Sequence, residues 1–104
     1  RRIEVEEAVR REARRVRTSV LDLALSLAAS WARDLAATSA GAEEVVFNVD
    51  RLEVLREQSR DVSMAAARKA VGVVADTRQR FQLNVSEELA MEALCFRLEK
   101  LLSP

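Results

Sequence analysis

The chain has 104 residues, with 17 basic and 17 acidic side chains and a formal net charge of zero. It has no histidine and one cysteine, which excludes histidine-dependent nucleophilic catalysis, a cysteine–histidine zinc site and an intrachain disulfide. Two glycines and a single proline at the last position leave little to interrupt helices, so residues 1–104 are expected to form one all-α domain, a compact bundle of about four to five helices.

The first predicted helix covers residues 3 to about 37. A 4-3-4 spacing of small apolar residues places one stripe along a half-exposed face: Val9, Ala13, Val16 and Val20. Later apolar residues surround much of the helix, as in the centre of a bundle: Leu21, Leu23, Leu25, Leu27, Ala28, Trp31 and Leu35. Ser19 and Asp22 resemble a capping signal, and an unbroken helix would be about 50 Å long. We therefore expect two helices or one kinked helix, with the change near Thr18.

Residues 38–48 form the clearest predicted connection. Gly41 suits the left-handed conformation that ends many helices. The β-prone run of residues 45–47 is too short for a sheet of its own. We expect it to be an apolar loop or short helical turn held against the core.

The second helix is expected to run from the end of this connection to about Gln58. Asn48 or Asp50 can cap its N-terminus with a side-chain oxygen. Leu52 and Leu55 are then expected on its inner face.

A third helix is predicted to start at Ser59 or Asp61 and to end at about Gln82. Its expected inner stripe contains Val62, Ala66, Ala70, Val73 or Val74, Thr77 and Phe81. Gly72 lies inside this helix, where glycine costs about 1 kcal/mol relative to alanine. Close approach of a neighbouring helix is the expected reason for it.

The last helix is expected to follow a cap at Asn84 or Ser86. Its apolar face is expected to contain Leu89, Ala90, Ala93, Leu94, Leu98 and Leu101. Cys95 lies between apolar neighbours and is expected to be a small core residue.

The charged clusters that could carry chemistry are better explained by structural roles. Residues 10–17 carry five arginines that could contact phosphates, but Glu6, Glu7 and Glu12 are spaced to pair with them. The adjacent glutamates at 6–7, 43–44 and 87–88 do not face each other on a helix. We name no catalytic, cofactor-binding or metal-binding residue, and the sequence has no glycine-rich phosphate loop.

Trp31, Arg33 and Asp34 are candidates for structural roles. Trp31 is the only tryptophan and is expected to anchor the core or a subunit interface. Arg33 and Asp34 lie at the polar edge of the same helix. There, hydrogen bonding within the domain is the expected role.

Two stretches of the sequence carry a resemblance. The first contains Trp31-Ala32-Arg33-Asp34-Leu35, Gly41 and Asn48-Val49-Asp50; the second runs from Gln82-Leu83-Asn84-Val85 into the helix at residues 89–98. In order and spacing they resemble the C-terminal domain of the delta-prime subunit of the bacterial DNA polymerase III clamp loader, over about residues 20–102. The last pattern is matched at Asn84, Leu89, Ala90, Glu92, Ala93, Leu94, Arg97 and Leu98. Met91 replaces a leucine, and Ser86-Glu87 stands where an Asn-Pro step is common.

This resemblance implies a structural role in DNA replication. The clamp loader is a ring of five AAA+ subunits that opens the sliding clamp with ATP, and its C-terminal helical domains form the collar that holds the ring. The chain would then be the C-terminal fragment of a longer bacterial, cytoplasmic AAA+ protein, part of a DNA-directed DNA polymerase holoenzyme. It would pack against other clamp-loader subunits, with no catalysis, cofactor, membrane contact or direct nucleic-acid binding of its own. The structural or subunit-packing residues would be Trp31, Arg33, Asp34, Asn48, Asp50, Asn84, Leu89, Leu94 and Arg97.

Three alternatives stay open at this point. The matching domain of a sister clamp-loader subunit shares the same architecture. A free-standing helical adaptor bundle unrelated to replication has the same composition. A small DNA-binding domain would use the arginine-rich first helix.

Overall fold

A computed structural model describes residues 1–83 and 86–103. Within these ranges the chain forms four α-helices and no β-strand: α1, Arg2–Ser39; α2, Leu52–Ser59; α3, Met64–Gln82; and α4, Glu87–Leu102. Two 3-10 turns, Glu43–Val45 and Val49–Arg51, lie between α1 and α2. The prediction of an all-α bundle is confirmed.

Helix α1 is a single helix of 38 residues, so the predicted division into two helices near Thr18 is wrong. No glycine or proline lies between residues 2 and 39, and nothing else in that stretch removes a backbone hydrogen bond. The Thr18 hydroxyl, which can compete for backbone groups, instead donates to Glu87 Oε2 of α4 at 3.0 Å. Ser19 and Asp22 therefore lie inside the helix and do not start one.

The length of α1 sets the shape of the molecule. At about 1.5 Å per residue the helix is about 57 Å long, close to the longest dimension of the protein, 60 Å. The radius of gyration is 17.1 Å, whereas a compact domain of about 100 residues has about 13 Å. Residues 1–20 are all exposed, and residues 2–16 extend past the other helices as an arm. The bundle is thus longer than the compact one expected.

Helix α3 lies between α1 and α4 and packs against both. Its contact face is built from small and β-branched side chains that are completely or almost completely buried: Ala67, Ala70, Val74 and Thr77. The small side chains of Ala67 and Ala70 let the neighbouring helices approach. Gly72, however, is exposed, and a Cβ there would meet no atom within 4 Å. The prediction that Gly72 serves close packing is wrong.

The interior consists of two clusters along α1. The cluster near α2 contains Leu35, Val46, Leu55, Val62 and Ala67, with Trp31 and Leu52 packed against it. The cluster near α4 contains Leu25, Val74 and Leu94, with Phe81, Met91 and Leu98 at its edge. The inward orientation predicted for Leu52 and Leu55 is confirmed.

The helix ends agree only partly with the capping signals. Gly41 has a φ of +77°, and the N–H of Ala42 donates to the Ala37 carbonyl at 2.8 Å, so Gly41 ends α1 as predicted. Helix α3 is capped by Ser63, whose hydroxyl accepts from the Ala66 N–H at 3.0 Å, rather than by Ser59 or Asp61.

Helix α4 is capped by Ser86, which accepts from the Leu89 N–H at 3.4 Å; Asn84 lies outside the described residues. Cys95 is exposed, so its prediction as a core residue is wrong. Its neighbour Leu94 points into the core instead, 3% exposed.

Truncating Leu25 is expected to cost about 2–5 kcal/mol of unfolding free energy, because Leu25→Ala leaves a cavity between α1, α3 and α4. Leu27→Ala is the matched control on the same helix: Leu27 is 63% exposed and Leu25 is 1% exposed. The control should change stability by less than about 0.5 kcal/mol. Urea unfolding followed by circular dichroism at low protein concentration measures both, and equal losses would contradict the burial described above.

Candidate interaction surface

A buried carboxylate joins α1 to the connection that follows it. Asp34 is 3% exposed. Its Oδ1 accepts from the Phe47 N–H at 2.8 Å, and its Oδ2 accepts from the Asn48 N–H at 2.7 Å and the Asn48 side-chain amide at 2.6 Å. Three donors on adjacent residues thus satisfy one buried charge, the condition under which burial of a charge is tolerated.

Asn48 uses its side chain on α1 rather than as a helix cap. Its amide nitrogen donates to Asp34 and also to the Ser30 hydroxyl at 3.3 Å. Neither the 3-10 turn that follows Asn48 nor α2 has a side-chain cap, and Asp50 is exposed. The predicted capping by Asn48 or Asp50 is therefore wrong, because Asp34 offers the Asn48 amide a charged acceptor.

Because Asp34 holds the backbone of Phe47 and Asn48, one of the three side chains at residues 45–47 is buried and the other two are exposed. Val46 is buried, 8% exposed, whereas Val45 and Phe47 are 66% and 82% exposed. The expectation of an apolar segment held on the core is correct for Val46 alone. The other two side chains project outward because the Phe47 and Asn48 backbone faces Asp34.

The motif residues on either side of Asp34 differ in burial. Trp31 is half-buried, packs on the cluster near α2, and donates from Nε1 to Gln58 Oε1 of α2 at 2.8 Å. Arg33 is exposed. Trp31 therefore ties α1 to α2 inside the domain, and Gln58, which had no distinguishing sequence signal, is its partner.

Some residues of the motif on α4 lie in the core and others lie on the surface. Leu94 is buried, but Leu89 and Phe96 are 63% and 62% exposed. Lys100 Nζ lies 5.3 Å from the Phe96 ring centroid, within the range of a cation–π contact. Arg97 Nη1 lies 3.4 Å from Asp76 Oδ2 of α3. Leu89 is thus outside the intramolecular core in which it was expected.

A continuous apolar row on α1 is open to solvent. It starts with the stripe found in the sequence and continues at the same spacing: Val9, Ala13, Val16, Val20, Leu23 and Leu27, here named the α1 seam. All six side chains are exposed, so the expectation that Leu23 and Leu27 are covered by the bundle is wrong. Helix α3 packs on the opposite side of α1, against Leu25.

Charged groups on the surface are largely paired nearby. Arg15 contacts Glu12 at 2.6 Å and Arg17 contacts Glu87 at 3.2 Å, so part of the arginine-rich stretch is neutralised. Arg56 donates to both oxygens of Glu43 at 2.8 and 2.7 Å. This hydrogen-bonded contact lowers the pKa of Glu43 and raises the pKa of Arg56.

The described residues hold no group of three acidic or cysteine side chains arranged to bind a metal ion. Over the same ranges, no helix is both long enough and apolar enough to cross a membrane. An open groove of about 580 Å³ lies between α3 and α4, with an apolar floor at Val73 and Leu101 and a rim that includes Lys69 and Lys100.

No protein-family model matches the chain, and neither a curated protein nor a solved structure matches it.

Replacing Asp34 with alanine is expected to lower the unfolding free energy by about 2–4 kcal/mol. The substitution leaves the Phe47 and Asn48 N–H groups without their charged acceptor. Asp50→Ala is the matched control, because Asp50 is exposed in the same connection, and its effect should stay within about 0.5 kcal/mol. Urea unfolding of both variants measures the difference; a loss below about 1 kcal/mol for Asp34→Ala would show that this carboxylate does not hold the connection.

The contribution of Asp34 should depend on pH. Burial by itself raises the pKa of Asp34, but the N–H groups of Phe47 and Asn48, the Asn48 amide and the charge of Arg33 together lower it below the ordinary value. Stabilisation by a carboxylate with a lowered pKa is complete above its unfolded pKa of about 3.9 and is lost as the pH falls through the lowered value.

The measurement is the difference in unfolding free energy between the natural chain and Asp34→Asn, which cannot titrate. The titration of the other carboxylates changes the unfolding free energy of both chains equally, so it cancels in this difference. It should be constant from pH 7 to about pH 4 and should narrow at lower pH. A difference that is the same at pH 7 and well below pH 3 would contradict the role given to the charged form.

Proposed function

We propose that this chain is an oligomerisation domain of the collar type, from a delta-prime-like subunit of a DNA polymerase III clamp loader. It would help to assemble the ring that loads the sliding clamp during DNA replication. In this role the domain works by helix packing and performs no catalysis itself.

The observation that carries the proposal is the amount of apolar surface left outside the two core clusters. Large hydrophobic side chains are more than half exposed on α1 at Val16, Val20, Leu23 and Leu27, on the connection at Val45 and Phe47, and on α4 at Leu89 and Phe96. Soluble monomers rarely leave large contiguous apolar patches open, and such patches mark interaction sites. Exposed faces on several elements suit a domain that packs against more than one neighbour.

The sequence resemblance supports placing this interaction role in a clamp loader. Two of its motif residues, Asp34 and Asn48, are in direct contact. Residues that the motif separates by 14 positions thus act as one structural unit, which gives a physical reason for their joint occurrence. In the proposed assembly the neighbours are the helical domains of sister subunits, and an AAA+ module precedes the domain in a cytoplasmic bacterial protein.

The second candidate is a free-standing adaptor bundle that binds partners unrelated to replication. The same exposed apolar surface supports it, because nothing about that surface depends on a ring. The coding sequence upstream of Arg1 discriminates between the two: an AAA+ module favours the clamp loader, and a start codon close to Arg1 favours the adaptor.

Co-expression of the longer protein with the other clamp-loader subunits of the same organism tests the proposal. Light scattering coupled to size-exclusion chromatography should find all subunits in one complex of ring size. Deleting residues 20–102 should abolish that complex, because the helical faces that join the subunits are removed. Asp50→Ala in the longer protein is the control and should leave assembly intact.

A complete ring that assembles without residues 20–102 would overturn the proposal. So would failure of the intact protein to join the other subunits.

A further inference from the structure

A groove between α3 and α4 lies on elements other than α1 and the connection. It is lined on α3 between Lys69 and Asp76 and on α4 between Arg97 and Leu101, and is here named the α3–α4 groove. Its volume of about 580 Å³ is within the range typical of small-molecule sites. Val73 and Leu101 are half-buried and form its apolar floor.

Gly72 leaves one wall of this groove without a side chain. It lies inside α3 and is not in the left-handed conformation, and at such a position glycine is less favourable than alanine. A Cβ there would meet no atom within 4 Å, so no neighbouring helix of the chain requires the glycine. The space that a side chain would fill is therefore open to a molecule from outside.

The rim of the groove is positively charged, although the chain as a whole has no net charge. Lys69, Arg97 and Lys100 lie in its lining. Asp76 also lines it, and accepts from Arg97 Nη1 at 3.4 Å and from Arg80 Nε at 3.1 Å, so two guanidinium groups already balance this carboxylate. Among the described residues, neither lysine has a carboxylate within 4 Å of its ammonium group. Two such cations beside an apolar floor are complementary to a molecule with an anionic group and an apolar body.

The two lysines can turn towards an anion with little loss of other contacts. Lys100 Nζ lies 5.3 Å from the centroid of the Phe96 ring, and Phe96 is 62% exposed, a setting in which a cation–π contact is weak. Lys69 is exposed, and lysine carries its charge on a flexible four-carbon chain. The groove thus offers one ammonium group from α3 and one from α4.

The dimensions of the groove favour a small molecule over a macromolecule. From Lys69 to Asp76 the α3 wall is about 10 Å long at 1.5 Å per residue, the length of about three residues of extended peptide. Nucleic acids bind through many cationic contacts with phosphates, to which an apolar floor adds nothing. A compact hydrocarbon body with one acidic group matches both the floor and the rim.

We propose that the α3–α4 groove binds a small organic carboxylate with an apolar body. The apolar body lies on Val73 and Leu101, in the space beside Gly72. The carboxylate lies at the rim, where Lys69 and Lys100 supply its counter-charges. Part of the ligand stays in water in an open groove, so we expect a dissociation constant of about 1 mM for an eight-carbon chain. The proposal does not rest on the clamp-loader assignment.

Titration of the 104-residue chain with octanoate, followed by the amide signals in nitrogen-15 NMR spectra, tests the site. The two glycines of the chain serve as site and reference, because Gly72 lines the groove and Gly41 ends α1. The signals of Gly72, Val73 and Leu101 should shift and saturate together, and that of Gly41 should stay in place.

Two control ligands separate the charge from the apolar body. Octanol keeps the chain but lacks the charge, and should bind at least about threefold more weakly than octanoate. Acetate keeps the charge but lacks the chain, and should bind at least about tenfold more weakly. Octanol that binds as tightly as octanoate would contradict the role of the two lysines.

Gly72→Leu separates loss of the site from loss of the fold. Leucine favours helix more than glycine does, so the thermal unfolding midpoint measured by circular dichroism should rise. The new side chain fills the space in the groove, and octanoate binding should weaken at least about tenfold. Unchanged binding in this variant would overturn the proposal.

A pair of charge variants tests the rim. Lys69→Gln should weaken octanoate binding about two- to fivefold and leave octanol binding unchanged. Arg68→Gln is the matched control, since Arg68 is the exposed neighbour of Lys69 on α3, lies outside the groove lining and carries the same charge. Equal weakening by both variants would show that general charge attraction, and not this rim, holds the carboxylate.

Other occupants of the groove would be visible in the same spectra. Octanoate-induced shifts confined to the α1 seam would place the ligand there and overturn the proposed site. Shifts of Gly72 that follow protein concentration without any ligand would indicate that a second copy fills the groove, and would overturn it as well. So would the absence of any shift up to about 20 mM octanoate, well above the expected dissociation constant.

Discussion

The contact between Asp34 and the backbone of Phe47 and Asn48 is the constraint on which the rest of this structure depends. It attaches the α1–α2 connection to one side of α1, and it therefore brings Val46 into the core and turns Phe47 towards solvent. A buried carboxylate with several donors is directional, whereas the apolar contacts around it are not. This contact thus determines where the connection lies, and the hydrophobic cluster stabilises that position.

The same contact divides α1 into regions with different surroundings. The C-terminal third is enclosed by the connection, α2 and α3. In the middle, Leu25 faces α3 while Leu23 and Leu27 face solvent, and the arm at residues 2–16 has only exposed side chains. A helix of 38 residues is longer than the three other helices can cover. The apolar row on its uncovered side is available for a second protein surface, which is why the proposed functions concern association.

Local physical chemistry explains what the sequence predicted well. Helix is favoured by the shortage of glycine and proline, and the end of α1 and the start of α4 follow from Gly41 and Ser86, whose backbone and side-chain preferences act within a few residues. The inward faces of α2 and α3 follow from the spacing of Leu52, Leu55 and Ala70. The stripe from Val9 to Val20 was found in the sequence, whereas Leu23 and Leu27 were assigned to the centre of the bundle, because an apolar spacing alone does not say whether a neighbour covers it.

The sequence by itself determined the helical class, the approximate helix bounds and the lack of histidine-based chemistry, because these depend on composition and on interactions between near neighbours. Only the tertiary structure decided that α1 is unbroken at Thr18, that Asn48 bonds to Asp34 instead of capping a helix, and that Cys95 and Leu89 face outward. Each of these outcomes depends on a group from a distant part of the chain or on how helices are stacked. Residue spacing along one helix contains no information about such partners, and three-dimensional packing selects them.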